Sequence, residues 1–194
     1  AITWLKNEAI EAPYLHIACS AAALLEPQMQ HTLIRAGIIL YGLWPSSDVR
    51  RQGTLGKRHI QLTPALSWKT HLVHIQDIPP GAAVGYEGTF TANRPMRIGV
   101  LPVGYYDGFD RRAASQGFVV VRGSRCPIVG RICMNMCMID IGGAPAGTRV
   151  GDTVTLIGRD GLGTVTADEW AQAWGTIHYE VVTRISHHIP RVLV

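Results

Sequence analysis

The sequence predicts a mainly β chain: an antiparallel β-domain, barrel- or sandwich-like, preceded by the last strands of an incomplete parallel α/β barrel. Three observations predict it. Glycine and proline are abundant, at 21 and 11 of 194 residues, which implies many turns. From about Leu66 onward, short apolar runs recur between glycine-rich turns. Before residue 44 the apolar runs are continuous, the pattern of strands buried on both faces.

Taken in order, Tyr14–Cys19 reads as a buried strand and Ala21–Leu25 as one or two helical turns. Arg35–Gly42 reads as a second buried strand, so residues 1–44 form a parallel βαβ-like unit. Such a unit is about one fifth of a (β/α)8 barrel and reads as the end of something larger. Residues 45–61 carry few apolar side chains and are expected to form a linker. Residues 62–194 are expected to form the β-domain, with strands over 68–75, 97–103, 118–122, 126–132, 136–141 and 153–157 and a last strand beyond residue 180. One helix interrupts them: Thr166 and Glu169 form a capping box that starts Ala167–Trp174, and Gly175 stops it.

Composition narrows the function classes. A formal charge of +4 with scattered basic residues gives no stripe for nucleic acid, and suits a small anionic ligand. Four cysteines are too few for a disulfide framework in a chain this long. Cys133, Cys137 and the distant His187-His188 lack paired metal-ligand spacing, so no metal is expected. Cys19, Cys133 and Cys137 sit among apolar residues and are expected to be buried, reduced thiols. No apolar run is long enough to span a membrane and no signal peptide is visible, so a cytoplasmic location is expected.

The chemistry-bearing residues cluster in loops. Ser20 and Gly37-Ile38 lie at the ends of the two predicted parallel strands, where a hydroxyl and backbone amides suit a phosphate. Tyr86 and Tyr105 each follow a glycine, and Arg111, Arg112 and Arg131 are available to bring a phenol, ordinarily near pH 10, toward working pH. Singly, each residue has an ordinary explanation. Ser20 suits a helix N-cap, Arg35 a structural ion pair, and the tyrosines simple packing.

Together the motifs form an ordered series. Leu15-His-Ile-Ala-Cys-Ser-Ala-Ala22, Arg35-Ala-Gly-Ile-Ile-Leu-Tyr-Gly-Leu-Trp-Pro-Ser46, Val84-Gly-Tyr-Glu-Gly-Thr-Phe90 and Leu101-Pro-Val-Gly-Tyr-Tyr-Asp-Gly108 come first. Pro127-Ile-Val-Gly-Arg-Ile-Cys-Met-Asn135, Thr176-Ile-His-Tyr-Glu-Val181 and Arg184-Ile-Ser-His-His-Ile-Pro-Arg191 follow. The series resembles the C-terminal half of the alanine racemase family, whose members use pyridoxal 5'-phosphate (PLP). The resemblance implies that residues 1–44 end a PLP-binding (β/α)8 barrel and that 62–194 are the family's C-terminal β-domain. It implies racemisation of alanine, a cytoplasmic isomerase supplying D-alanine for peptidoglycan, and a homodimer with shared sites.

By the same resemblance, Tyr86 matches the catalytic tyrosine, and Ser20, Gly37, Ile38 and Tyr179 match positions that hold the cofactor phosphate. Arg35 matches the arginine facing the pyridine nitrogen, which limits the ring's strength as an electron sink. Met134 matches a backbone contact to the substrate carboxylate, and Tyr105, Arg111, Arg131 and Ile177 match the entry corridor. Three departures stand out. No lysine here, whether Lys6, Lys57 or Lys69, lies in a motif matching the family's Schiff-base lysine, so the chain alone is expected to be incomplete and to need an N-terminal barrel segment. Cys19 replaces an asparagine, and Asn135 stands where an aspartate is usual. The alternatives are a serine or broader-specificity racemase, and a non-catalytic dimerisation or ligand-binding β-module.

Overall fold

The computed structural model describes residues 2–56 and 59–194. Lys57 and Arg58, inside the stretch expected to be a linker, lie outside the described residues, as does the side chain of Lys6. The chain divides into two compact units between Ala65 and Leu66.

The first unit holds three helices, α1 (Ile2–Asn7), α2 (Ser20–Leu25) and α3 (Ser47–Leu55). The two predicted strands keep their parallel relation, but only in a single bridge between Cys19 and Arg35. Beyond it the second run turns into a 3-10 helix, Ile38–Tyr41, that stops at Gly42 with φ of 71°. Nor is this segment buried as expected: Tyr14, Ile17, Leu40 and Tyr41 are all exposed. A parallel strand needs ladder partners on its edges, and a lone bridge gives neither run one.

The expected linker also differs. Ser46 accepts a hydrogen bond from the Val49 amide at 3.2 Å, and the nine-residue helix α3 follows. The ring of Trp44 lies so close to Gly53 that a Cβ there would come within 2.6 Å of it. Only Val49 and Leu55 in α3 are apolar, so the helix carries no periodic signal in its sequence.

The second unit is a rolled antiparallel sheet. Its strands are β1 (Trp68–His71), β2 (His74–Ile78), β3 (Ala83–Val84), β4 (Phe90–Thr91) and β5 (Met96–Leu101). They continue with β6 (Phe118–Val121), β7 (Ser124–Val129), β8 (Cys137–Asp140), β9 (Thr153–Asp160) and β10 (Gly163–Val165). The sheet order is β1-β9-β6-β7-β8-β5-β2, with β10 on β9 and a separate β3–β4 hairpin. The two ends of this order, β1 and β2, are separated only by Leu72 and Val73. The three Cα steps from His71 to His74 span at most ~11 Å, so the outer edges of the sheet come together and the sheet is curled into a barrel. The Leu72 amide donates to Asp152 on one side and the Val73 amide to Val100 on the other, each at 3.0 Å.

Val119, Val120, Val121, Ile139, Val154 and Leu156 are fully or almost fully buried in the main core cluster, the successive valines of β6 burying both faces of that strand. Phe109 meets Trp68, Trp170 and Trp174 edge-on at 5.8, 5.0 and 6.3 Å. Trp170 and Trp174 belong to α4 (Ala167–Trp174), which starts at the Thr166–Glu169 capping box and ends at a left-handed Gly175, as the sequence predicts. The segment after it does not form the expected last strand; residues 178–183 form a short helix, α5 (His178–Thr183). A second apolar cluster, Val84, Ala92, Met96, Ile98, Val129 and Met138, floors the hairpin that carries Tyr86.

Candidate active site

In the first unit Ser20 is buried, and it is not the cap of α2 that its position suggested. Cys19 occupies the N-cap, and the Ser20 hydroxyl instead accepts a hydrogen bond from the Gly37 amide at 3.0 Å. A Cβ at Gly37 would lie 3.7 Å from that hydroxyl, filling the space above it. The next amide, Ile38, opens a 3-10 turn, whose first amides have no partner inside the turn. A hydroxyl, an amide and an open turn start around a glycine fit a phosphate. Arg35 makes no ion pair among the described residues; its guanidinium donates to the Ile17 carbonyl at 3.4 Å.

Cys19 is exposed, contrary to expectation. Its thiol is held below the ordinary thiol value by the Ala22 and Ala21 amides, with the Arg35 charge adding to them. Burial works the other way on Cys126, pushed up to about 11, and raises Cys137 further.

In the second unit Tyr86 stands 70% exposed at the tip of the β3–β4 hairpin. Three features shape that tip. Gly85 has φ of 80°, and its backbone rests on the Arg131 amide, where a Cβ would come within 3.1 Å. Gly130 has φ of 69° and lies so close to Val84 that a Cβ would sit 2.7 Å from its carbonyl oxygen. Glu87, also at positive φ, pairs with Arg131 at 2.6 Å and holds the tip from outside. Tyr86 is thus presented on a rigid turn seated on the end of β7. Glu87 is a site residue that the motifs alone do not single out; an acid next to the tyrosine is the one signal of it in the sequence.

A second set of turns brings Tyr105 and Met134 together. The Tyr105 amide donates to the Cys133 carbonyl at 3.1 Å and the Tyr106 amide to the Met134 carbonyl at 2.9 Å. Gly104 makes this approach possible, since a Cβ there would fall 2.2 Å from the Cys133 oxygen. Asp107 closes the turn by accepting from the Gly104 amide at 2.8 Å and pairing with His188 at 3.0 Å. The Arg111 guanidinium lies over the Tyr105 ring at 5.8 Å. Arg112 does not face a phenol; it is bound to Asp110, which also binds Arg184. The Asp110 carboxyl is held below the usual carboxylate range, chiefly by the Arg112 side-chain hydrogen bond and further by the Arg112 and Arg184 charges. Tyr105, Tyr106, Arg111, Arg184, Ser186 and His187 line a groove of about 680 Å³.

Ile177 is exposed as the N-cap of α5, and the half-buried Tyr179 lies in its first turn. Cys133 and Cys137 are buried. No group of three or more His, Cys, Asp or Glu side chains among the described residues is placed to hold a metal. No helix among them is long and apolar enough to cross a membrane.

An N-terminal unit of short helices with one parallel bridge, followed by a rolled antiparallel domain with tyrosines and arginines on glycine-hinged turns, defines a class, the α/β-plus-β proteins. Residues 65–193 match the alanine racemase C-terminal domain and residues 1–45 the alanine racemase N-terminal domain. The chain belongs to the alanine racemase family. It is 47% identical over 180 residues to an alanine racemase of Leptospira interrogans, covering 92% of this chain and 46% of that protein. It is 44% identical over 177 residues to that of Desulfosudis oleivorans, covering 91% of this chain and 44% of that protein. The fold is similar to the crystal structure of alanine racemase from Bacillus anthracis with bound L-Ala-P, at a TM-score of 0.88 and 36% identity. That match covers 100% of this chain and 48% of the other. A Clostridium difficile alanine racemase in complex with cycloserine gives a TM-score of 0.86 at 35% identity, covering 97% of this chain and 47% of that one. The chain therefore spans about half the length of the relatives it matches.

Proposed function

We propose that this chain is the C-terminal half of a PLP-dependent alanine racemase, with Tyr86 as one of two bases that exchange the α-hydrogen between the faces of alanine. The observation that carries the reading is the Tyr86 turn: an exposed phenol on two positive-φ glycines, locked by the Arg131–Glu87 pair. A packing tyrosine needs no such mounting. A general base must be held where its oxygen meets the substrate each time.

When bound, PLP supplies an electron sink that makes the α-hydrogen of the amino acid removable. Ser20 and the Gly37 and Ile38 amides are proposed to hold its phosphate, and Arg35 to face its ring nitrogen. Tyr179 takes the phosphate-binding role of its matching position. The Tyr86 oxygen holds or releases the proton on one face of the α-carbon. The opposite face needs a second base, which the resemblance assigns to a lysine that no residue here matches. Met134 supports the substrate carboxylate through its backbone, and the Cys133–Tyr105 and Met134–Tyr106 bonds fix that backbone. Tyr105, Arg111, Arg131 and Ile177 form the entry corridor, which favours a small amino acid. The whole enzyme is proposed to be a cytoplasmic homodimer in which an N-terminal barrel completes each site and the D-alanine formed enters cell-wall synthesis.

The test is D-alanine formation from L-alanine by this chain with PLP, alone and with a separately expressed barrel half of the family. Activity only on complementation, abolished by Tyr86→Phe, is the expected result. No racemisation in either arm leaves a non-catalytic β-module as the better account. Comparable turnover of serine assigns the broader-specificity reading.

A further inference from the structure

Helix α5 carries the proposed functional residue Tyr179, with Ile177 at its N-cap; Val181 anchors its middle in the core, but its first turn has little of its own to keep it in place. It is six residues long, below the length at which a helix holds itself in water, and its N-cap Ile177 offers no side-chain acceptor. Besides the buried Val181, its position depends on polar tethers. Glu180 is bound by the Thr176 hydroxyl and by Arg184, which hold the far side of the helix. The first turn is held by His178.

His178 is the residue between Ile177 and Tyr179, and it points the other way: its side chain is only 9% exposed. Its Nδ1 lies 3.1 Å from the Asp168 carboxylate, in the first turn of α4. With that hydrogen on Nδ1, Nε2 carries a lone pair and is buried without a partner among the described residues. Among the described residues Asp168 is therefore the hydrogen-bond partner that orients the imidazole. Its ring also meets the Tyr179 ring at a centroid distance of 4.8 Å and an angle of 39°. One side chain thus ties α5 to α4 and braces the aromatic ring of its neighbour.

We infer that His178 is a positioning residue for Tyr179, the Asp168–His178 pair fixing where the Tyr179 hydroxyl is presented to the cofactor phosphate. The inference rests on the proposed phosphate role of Tyr179. Asp168 is largely exposed, so its removal spares the core while releasing the imidazole.

The experiment uses the complete protein containing this chain, freed of cofactor, and measures equilibrium binding of PLP and of pyridoxal, which lacks the phosphate. Asp168→Ala and His178→Phe are each expected to weaken PLP binding roughly 3- to 10-fold while leaving pyridoxal binding unchanged. Asp168→Asn, which keeps an oxygen for the Nδ1 hydrogen, restores it. In a Tyr179→Phe background neither substitution has a further effect. Equal losses for PLP and pyridoxal, or full additivity with Tyr179→Phe, overturn the inference. A wild-type protein that binds no PLP overturns the proposed function and this inference with it, whereas wild-type binding with unaffected variants overturns the inference alone.

Discussion

Cys19 and Cys126 are chemically the same group in opposite surroundings. Backbone amides and Arg35 favour the Cys19 thiolate, whereas burial disfavours that of Cys126. Alkylation by iodoacetamide, followed by mass spectrometry, is expected to modify Cys19 first and to begin at a pH below the ordinary thiol value of about 8.5. Cys126 and Cys137 are expected to react only on unfolding; labelling of Cys126 as fast as Cys19 contradicts the assignment. Asp110 gives the corresponding acid-side statement. Its carboxyl titrates lower folded than unfolded, so the ionised form contributes stability above about pH 4 that is lost as the pH falls through the folded value. Asp110→Asn is expected to flatten the acid limb of a thermal-stability profile below about pH 4, and an unchanged limb rules out Asp110 as its source.

At this scale the sequence was informative about identity and silent about partners. Glycines and a family-like order mark Tyr86, Tyr105 and Arg131 as candidates; of these, the structure brings the Tyr86 turn and Arg131 together. That Arg131 spends its charge on Glu87, and Arg112 on Asp110, was not legible. Both depend on turn geometry that brings side chains together across the fold or folds them back locally.

Among the elements, α4 was fully legible, since its cap, first turn and stop are all written in consecutive residues. The helices α3 and α5 were not. One lacks apolar periodicity, and the other is held by contacts to α4 and Arg184 that no local window contains. The longer barrel strands are legible to within a few residues; the break at Leu72-Val73 is not, and neither are β10 and the two-residue strands of the β3–β4 hairpin, whose runs are too short to carry a pattern. The tight turns yield the sharpest prediction. Gly104→Ala places a Cβ against the Cys133 carbonyl in a backbone that cannot retreat without losing the Tyr105 and Tyr106 hydrogen bonds. A loss of about 1–3 kcal/mol in denaturant unfolding is expected, with racemase activity of the complemented enzyme falling further than stability accounts for. Gly81→Ala is the control for a positive-φ glycine with open space around it. Its cost should stay near ~1 kcal/mol, without an added loss of activity.

In the β-domain as a whole, the largest fully buried side chains, Trp170, Trp174 and Phe109, cluster where α4 packs on the sheet. Trp170 packs on Phe109 and Trp174, and its indole N–H donates to the Leu156 carbonyl on β9. Trp170→Ala is expected to cost about 3–5 kcal/mol and to remove cooperative unfolding of the domain; a loss under ~1 kcal/mol means the aromatic cluster is not its keystone.

The closure through Leu72 and Val73 also sets an order of events during synthesis. The strand that seals the roll is the first of the domain to leave the ribosome, yet its partners lie around residues 96–100 and 153–157. At about 5–20 residues per second, His71 waits several seconds or more for Thr153 to be made. Until then Trp68 and Leu72, destined for the interior, have no place to go. The nascent domain is therefore a natural client for holding factors until almost its whole length has emerged.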